Sequence, residues 1–190
     1  MARALPLRSV ITGGPGAGKS TLLAAAEAAG LCVSPEVARE ILRQPGGMAL
    51  RDRDPAGFAQ AMLDREVRSF KDSVFLDRPV LFDRGFPDIV GFLDLSGLPL
   101  PGELDRICRE LRYEGPIFRA PPWEEIYAGD AERIQDWGEA VASDAAVTAA
   151  WHRYGYCLTD LPLAPVLERL TVVQREIAAR QAAMDKRPVL

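Results

Sequence analysis

The sequence predicts an α/β fold in three layers, a five-stranded parallel sheet with helices on both faces. Two observations predict it. Short apolar runs of strand length alternate with longer stretches of helical pattern along the whole chain, and a crossover between parallel strands needs such a helix. A glycine-rich stretch, residues 13–21, also sits between the first apolar run and the first helical stretch. Strand, glycine turn and helix in that order open this class of sheet.

The elements follow in order. Residues 7–12 (LRSVIT) are the first strand, and Thr21 to Ala29, rich in Ala and Leu, is the first helix. Leu31 to Ser34 is a second strand. Ser34-Pro35-Glu36 opens a helix to Arg43, with Ser34 as N-cap and Pro35 in the first turn, and residues 44–47 (QPGG) break it. Asp54-Pro55 starts a longer helix toward Asp72, with Phe58, Ala61, Met62, Arg65 and Phe70 recurring along it. Val80 to Phe82 is a third strand that ends at Asp83-Arg84-Gly85. Helices over 88–95 and 102–111 flank the turn at 96–101, and residues 116–118 are the fourth strand. Residues 120–127 (APPWEEIY) are irregular. A long helix runs from near Asp130 to Arg153, Tyr156 to Leu161 is the fifth strand, and Val166 to Met184 the last helix. With no repeat, low-complexity tract or linker, residues 1–190 read as one domain.

In such a sheet all strand C-terminal ends lie on one edge, where ligands bind. The first strand ends in Gly13, Gly14, Pro15, Gly16, Ala17, Gly18, Lys19, Ser20 and Thr21. This is G-x-x-x-x-G-K-S/T, the P-loop. Its glycines let successive backbone N–H groups turn toward a phosphate chain, and the following helix N-terminus adds further donors. Lys19 is placed to reach the β- and γ-phosphates, and the Ser20 hydroxyl to ligate Mg²⁺. Asp83, after three apolar residues, is the acid expected to complete that Mg²⁺ site, and Arg84 the arginine expected to clamp a phosphoryl group.

Glu36, after the second strand, has two readings. A carboxylate near a helix N-terminus is favourable in itself; one facing the γ-phosphate can also orient a substrate hydroxyl or take its proton. Arg39, one turn on, either binds an anionic substrate group or is a solvated helix residue. The segment 112–135 sits where a kinase of this class carries its lid. It holds Arg112, Arg119 and Arg133, and lid arginines neutralise charge on the transferring phosphoryl. Arg133 is the first candidate and Arg119 the second, with Arg133 pairing to Asp130 or Asp136 as the alternative. Trp123 and Tyr127 either stack on a substrate ring or pack the proline-rich loop.

Composition narrows the classes. The formal net charge is −4 with no basic run, which argues against a protein that coats nucleic acid. No apolar run approaches the ~20 residues of a membrane helix, and residues 1–10 lack a signal-peptide pattern, so a cytoplasmic protein is expected. Cys32, Cys108 and Cys157 form no C-x-x-C pair and read as buried thiols in a reducing compartment. His152, the only histidine, reads as a helix-end residue. No N-K-x-D motif supports guanine recognition. Asp83 is followed by Arg84 and not by Glu, so the water-activating acid of motor-type ATPases is missing.

The motifs GGPGAGKST (13–21), PEVARE (35–40), LFDRGFPDIVGFL (81–93), APPWEEIY (120–127) and DAERIQ (130–135) together resemble a family of small bacterial proteins labelled predicted ATPases, over most of the chain. More distantly the chain resembles the nicotinamide riboside kinase and deoxynucleoside kinase fold group. There an acid after strand two serves the hydroxyl, and an acid–arginine pair follows strand three; Glu36 and Asp83-Arg84 stand at those places. The closely spaced arginine pair of that group's lid is absent here. The resemblance implies an ATP- and Mg²⁺-dependent phosphotransferase with a small hydroxyl- or phosphate-bearing acceptor, such as a nucleoside or metabolite. The alternative is a nucleotide-dependent regulatory protein with slow hydrolysis of ATP or GTP.

Overall fold

In the computed structural model, five parallel strands pair in the order β2-β3-β1-β4-β5. Residues 6–127 and 136–186 are described. Along the chain run β1 (Arg8–Thr12), α1 (Lys19–Ala28), β2 (Cys32–Ser34), α2 (Val37–Leu42), α3 (Gly47–Arg53), α4 (Pro55–Asp72), β3 (Val80–Asp83) and α5 (Phe86–Leu95). Then come α6 (Gly102–Glu110), β4 (Ile117–Arg119), α7 (Trp137–Arg153), β5 (Leu158–Asp160) and α8 (Val166–Asp185), with single 3-10 turns at Ser73–Phe75 and Glu124–Ile126.

Strand alternation divides the core in two. Val10, Phe82 and Ile117 face one side and pack with α2, α4, α5, α6 and α7. Ile11, Leu81 and Phe118 face the other and pack with α1 and α8. Central strands buried on both faces read as continuous apolar runs, which is why 7–12 and 80–82 are conspicuous in sequence. The α5–α7 crossing is unusually close. A Cβ at Gly91 would stand 2.8 Å from the Val147 Cα, so only glycine lets the helix after β3 approach α7 there.

Several boundaries differ from the expectation. Ser34 is not a helix cap. The proline at 35 favours extended backbone in the residue before it, so Ser34 stays in β2 and pairs with Phe82. The cap position falls to Glu36, whose side chain makes no capping bond and is left free for other partners. The helix does break before residues 44–47, α2 ending at Leu42, and the break turns a corner: Gly46 takes φ +82° and α3 follows at once. Asp54 does cap α4, accepting from the Gly57 N–H at 2.9 Å. α5 begins at Phe86 because the Asp88 carboxylate accepts the Gly85 N–H. Asp136 and Glu139 form a reciprocal capping box at the start of α7; residues 130–135, expected as its first turns, lie outside the described residues. The cysteines are not uniformly buried: Cys108 is buried, Cys32 half-buried and Cys157 exposed.

Candidate functional site

The P-loop follows β1 at the middle of the sheet, between the ends of β3 and β4. Gly13, Gly16 and Gly18 take φ of +126°, +77° and +75°, conformations that L side chains rarely adopt. Gly13 is held most tightly: a Cβ there would meet the Ala120 carbonyl oxygen at 2.3 Å. Lys19 opens α1 and is buried. Its ammonium donates to the Gly13 carbonyl at 2.9 Å and to the Gly14 carbonyl. Burial, with Arg84 nearby, pushes its pKa down to about 8 against the pull of Glu36, Asp83 and Asp88. Ser20 and Thr21, in the same first turn, are exposed.

The ends of β2 and β3 bring their charged residues to the same loop. Arg84 Nε donates to Glu36 Oε1 at 2.8 Å, and its Nη1 donates to the Gly13 carbonyl and to Asp88 Oδ1, each at 3.0 Å. Arg84 adopts φ +74°, alone among the described non-glycine residues. A bulky side chain in that region costs of order 1–3 kcal/mol, and the three contacts hold it there. Burial alone would lower the Arg84 pKa; Glu36, Asp88 and Asp83 outweigh it and keep the guanidinium charged. Glu36 shows the converse balance. Burial would raise its pKa, yet Arg84, Lys19 and Arg39 hold it below the usual carboxylate range. Arg39 lies 3.6 Å from Glu36 Oε2 and is half exposed.

Asp83 pairs with Ile11 in the sheet, is buried, and its Oδ1 has no hydrogen-bond partner among the described residues. Burial, and Glu36 beside it, push its pKa up to about 6. An oxygen left this way is costly unless a ligand satisfies it. A carboxylate oxygen and an exposed serine hydroxyl at a phosphate loop are the donor set Mg²⁺ takes, so Asp83 and Ser20 fit that ion.

Two buried acids of this region were not singled out from sequence. Asp88 accepts four bonds, from the Thr12 hydroxyl (2.6 Å), Arg84, the Gly85 N–H (3.1 Å) and the Trp151 indole (3.0 Å). It thereby ties β1, β3, α5 and α7 into one block. Glu66, on α4, accepts from the Tyr113 hydroxyl at 2.7 Å. Its pKa rises to about 8, mainly through burial and then through Asp88 and Asp83, with the Tyr113 bond pulling the other way. Such an acid favours the fold below its unfolded pKa and loses that contribution as pH rises toward 8. Relative to the wild type, Glu66→Gln should therefore gain stability progressively between pH 5 and 8. Paired urea melts across that range check it, and a gain independent of pH would contradict a protonated Glu66.

A cavity of about 220 Å³ opens beside the cluster. Its apolar wall includes Val37, Phe58, Met62, Ile89 and Phe92, and its polar groups include Glu36, Glu66, Arg84, Asp88 and Arg51. The structure thus brings together Lys19, Glu36, Asp83 and Arg84.

It does not bring Arg119, the second of the two expected lid arginines, to them in that role. Arg133 lies outside the described residues. Arg119 ends β4 and is held by Asp144 (2.6 Å) and Asp160 (3.1 Å), while Asp144 also accepts from the Gly14 N–H at 3.4 Å. With both carboxylates engaged it braces the P-loop, and the expectation of a lid arginine is corrected. Arg112 precedes β4, on the opposite edge of the sheet. It donates to the Tyr154 carbonyl at 2.8 Å and lies 3.8 Å over the Tyr156 ring, so the segment from 112 to 119 is not lid. Tyr127 packs edge-on against Trp137 at 5.3 Å, and the Trp123 indole donates to Glu125. A further buried arginine, Arg169 of α8, donates to the Ala17 carbonyl of the P-loop at 3.0 Å. His152 is exposed, in the last turn of α7.

Among the described residues no helix is long and apolar enough to cross a membrane. No curated protein matches the chain in sequence. Among solved structures, deoxyadenosine kinase from M. mycoides, with dCMP and a flexible dCDP bound, superposes with a TM-score of 0.68 at 15% identity, over 90% of this chain and 99% of that one. Thymidylate kinase from Candida albicans gives 0.63 at 11% identity, over 93% of each chain. NadR protein in complex with NR gives 0.67 at 17% identity, over 93% of this chain and 51% of that one. At these identities the likeness establishes a shared P-loop kinase fold, as the sequence motifs led one to expect. A family model described as an AAA domain matches residues 8–169, and the chain belongs to that family.

Proposed function

We propose that this protein is an ATP-dependent phosphotransferase acting on a small acceptor bound in the cavity beside the P-loop. One observation carries the reading. Arg84 joins the Gly13 carbonyl of the P-loop to the Glu36 carboxylate, so donor loop and acceptor carboxylate are set by a single guanidinium at the cavity wall. A protein that only binds or hydrolyses nucleotide needs no such second half. The absence of an acid after Asp83 points the same way.

The loop N–H groups and Lys19 hold the β- and γ-phosphates. Ser20 and Asp83 would hold Mg²⁺, which when bound supplies charge neutralisation between those phosphates. Glu36 accepts a hydrogen bond from the acceptor hydroxyl and aligns it. The acceptor oxygen bonds to the γ-phosphorus as the bond from that phosphorus to the β-phosphate bridging oxygen breaks, and ADP leaves. The hydroxyl proton passes to Glu36 and then to water. Because the transition state of phosphoryl transfer is loose, the proton moves late and an acid of low pKa suffices. Arg84, kept charged by its carboxylates, lies where charge develops on the transferring group.

Glu36→Gln keeps the size and loses the proton acceptor. It should lower kcat by about 10²–10⁴ with the KM for ATP little changed. Steady-state kinetics with an acceptor found by mass gain of one phosphate measures this. An unchanged kcat would remove Glu36 from the reaction.

A further inference from the structure

Arg8, Arg84 and Arg119 leave water in the company of carboxylates: Glu114, Glu36 with Asp88, and Asp144 with Asp160. Arg169 does not. It is the fourth residue of α8 and only 4% exposed. Its Nη1 donates to the Ala17 carbonyl of the P-loop at 3.0 Å, and its Nε is buried with no hydrogen-bond partner among the described residues. Burial pulls its pKa below the usual arginine value, with no carboxylate among the described residues to counter it. The position is unfavourable in a second way, since the N-terminal turn of a helix repels a cation. Taking a charge out of water without an opposite charge is costly, and a methionine would fill the same space without that cost.

The contact with the loop shows what the charge is for. The Ala17–Gly18 peptide is trans, so its carbonyl and its N–H point in opposite directions. Arg169 holds the carbonyl, and the Gly18 N–H therefore faces away from the guanidinium. That N–H donates to no described residue. The peptide is clamped as well as bonded: Gly18 takes φ +75°, and a Cβ on it would stand 2.8 Å from Arg169 Nη1 and 3.1 Å from Ile126 Cδ1. Gly18 belongs to the run of P-loop backbone donors that cradle the α- and β-phosphates. A cation at the carbonyl end of a peptide polarises it and strengthens the N–H at the other end.

We propose that Arg169 is a positioning residue of the donor site: from α8 it fixes and polarises the Ala17–Gly18 peptide so that the Gly18 N–H meets the nucleotide's phosphates, and the phosphate chain is the counter-charge that Arg169 lacks. This rests on reading residues 13–21 as the donor site and does not depend on the acceptor. Lys19 reaches the γ-phosphate as well, whereas Arg169 serves the diphosphate that ATP and ADP share. It therefore stabilises bound substrate and transition state alike, and sets the KM for ATP more than kcat.

The test is calorimetric titration of the full chain with MgATP, MgADP and pyrophosphate with Mg²⁺. Arg169→Met should weaken all three by the same factor, about 10- to 100-fold. Arg169→Gln, neutral but polar, should lose a similar factor and guards against a folding defect; thermal melts verify that each variant is folded. Arg169→Lys, which keeps the charge, should recover most of the loss. With an acceptor found by mass gain of one phosphate, the methionine variant should show a raised KM for ATP and a kcat near that of the wild type. Unchanged affinities in both neutral variants would reduce Arg169 to packing and overturn the inference. A loss for ATP and ADP with none for pyrophosphate would assign Arg169 to the base or sugar and overturn it equally. A lysine variant as weak as the methionine one would overturn the role of the charge. Wild-type protein that binds MgADP but phosphorylates nothing would refute the phosphotransferase reading and leave the Arg169 comparison standing. Wild-type protein that binds none of the three would remove the donor site, and the role of Arg169 with it.

Discussion

Lys19→Ala should reduce phosphoryl transfer by at least about 10²–10³, the scale of losing one preorganised charged donor at a developing anion. The reason lies in more than the motif. The ammonium is buried and bonds the Gly13 and Gly14 carbonyls, so it braces the loop that it also charges. Its low pKa marks an incompletely solvated cation, for which phosphate oxygens are strong partners. MgATP affinity should fall with turnover, because the interaction is made with the ground state and strengthened in the transition state. Equilibrium binding of a fluorescent ATP analogue and single-turnover transfer separate the two losses. Retention of full turnover would refute the assignment of residues 13–21 as the donor site.

Asp88→Ala should be the most damaging substitution for stability that leaves the P-loop untouched. Asp88 is buried and takes four donors, from Thr12, Arg84, Gly85 and Trp151. Removing it strands the Trp151 indole and the Thr12 hydroxyl in the core and deprives Arg84 of one of its carboxylates. Breaking a buried ion pair from one side costs about 3–5 kcal/mol. For a chain of this size each kcal/mol lowers Tm by roughly 2–4 °C. Activity should fall further than stability explains, because Arg84 at φ +74° relaxes once a contact holding it is gone. Asp88→Asn, which keeps an acceptor oxygen in the same shape, should recover part of the stability and less of the activity. Thermal melts beside kinetics on the folded fraction distinguish these effects. A melt of Asp88→Ala within 2–3 °C of the wild type, about 1 kcal/mol, would show that the four bonds carry little net energy.

How much of this was legible in the sequence depends on how each residue announces itself. The parallel sheet was legible because β1 and β3 are buried on both faces and appear as unbroken apolar runs. The P-loop was legible because the conformations of Gly13, Gly16 and Gly18 admit little else. Glu36 and Arg84 were legible by topology, since residues just past parallel strands share one sheet edge. Asp88, Glu66 and Asp144 were hidden, each an acid inside a helix where a solvated face is the ordinary reading. The signal existed all the same. Glu66 lies four residues after Met62 and four before Phe70, and Asp144 lies four after Ala140 and three before Val147, each on the buried stripe of its helix. An acid at an apolar heptad-like position implies a buried partner, and the stripe can be drawn before any coordinates are known. Arg119 was misassigned because arginine near a lid position and arginine at the end of a strand look alike in sequence. Its partners Asp144 and Asp160 are 25 and 41 residues away.

The measurement that bears most directly on the whole account is the dependence of ADP release on the acceptor. With MgATP alone, the protein should release ADP slowly, since no acid follows Asp83 to activate water. Adding the right acceptor should raise the rate by orders of magnitude, one phosphorylated product appearing for each ADP. Brisk ADP release that no acceptor changes, with phosphate appearing only as the inorganic ion, would contradict a two-substrate cleft built around Glu36 and Arg84.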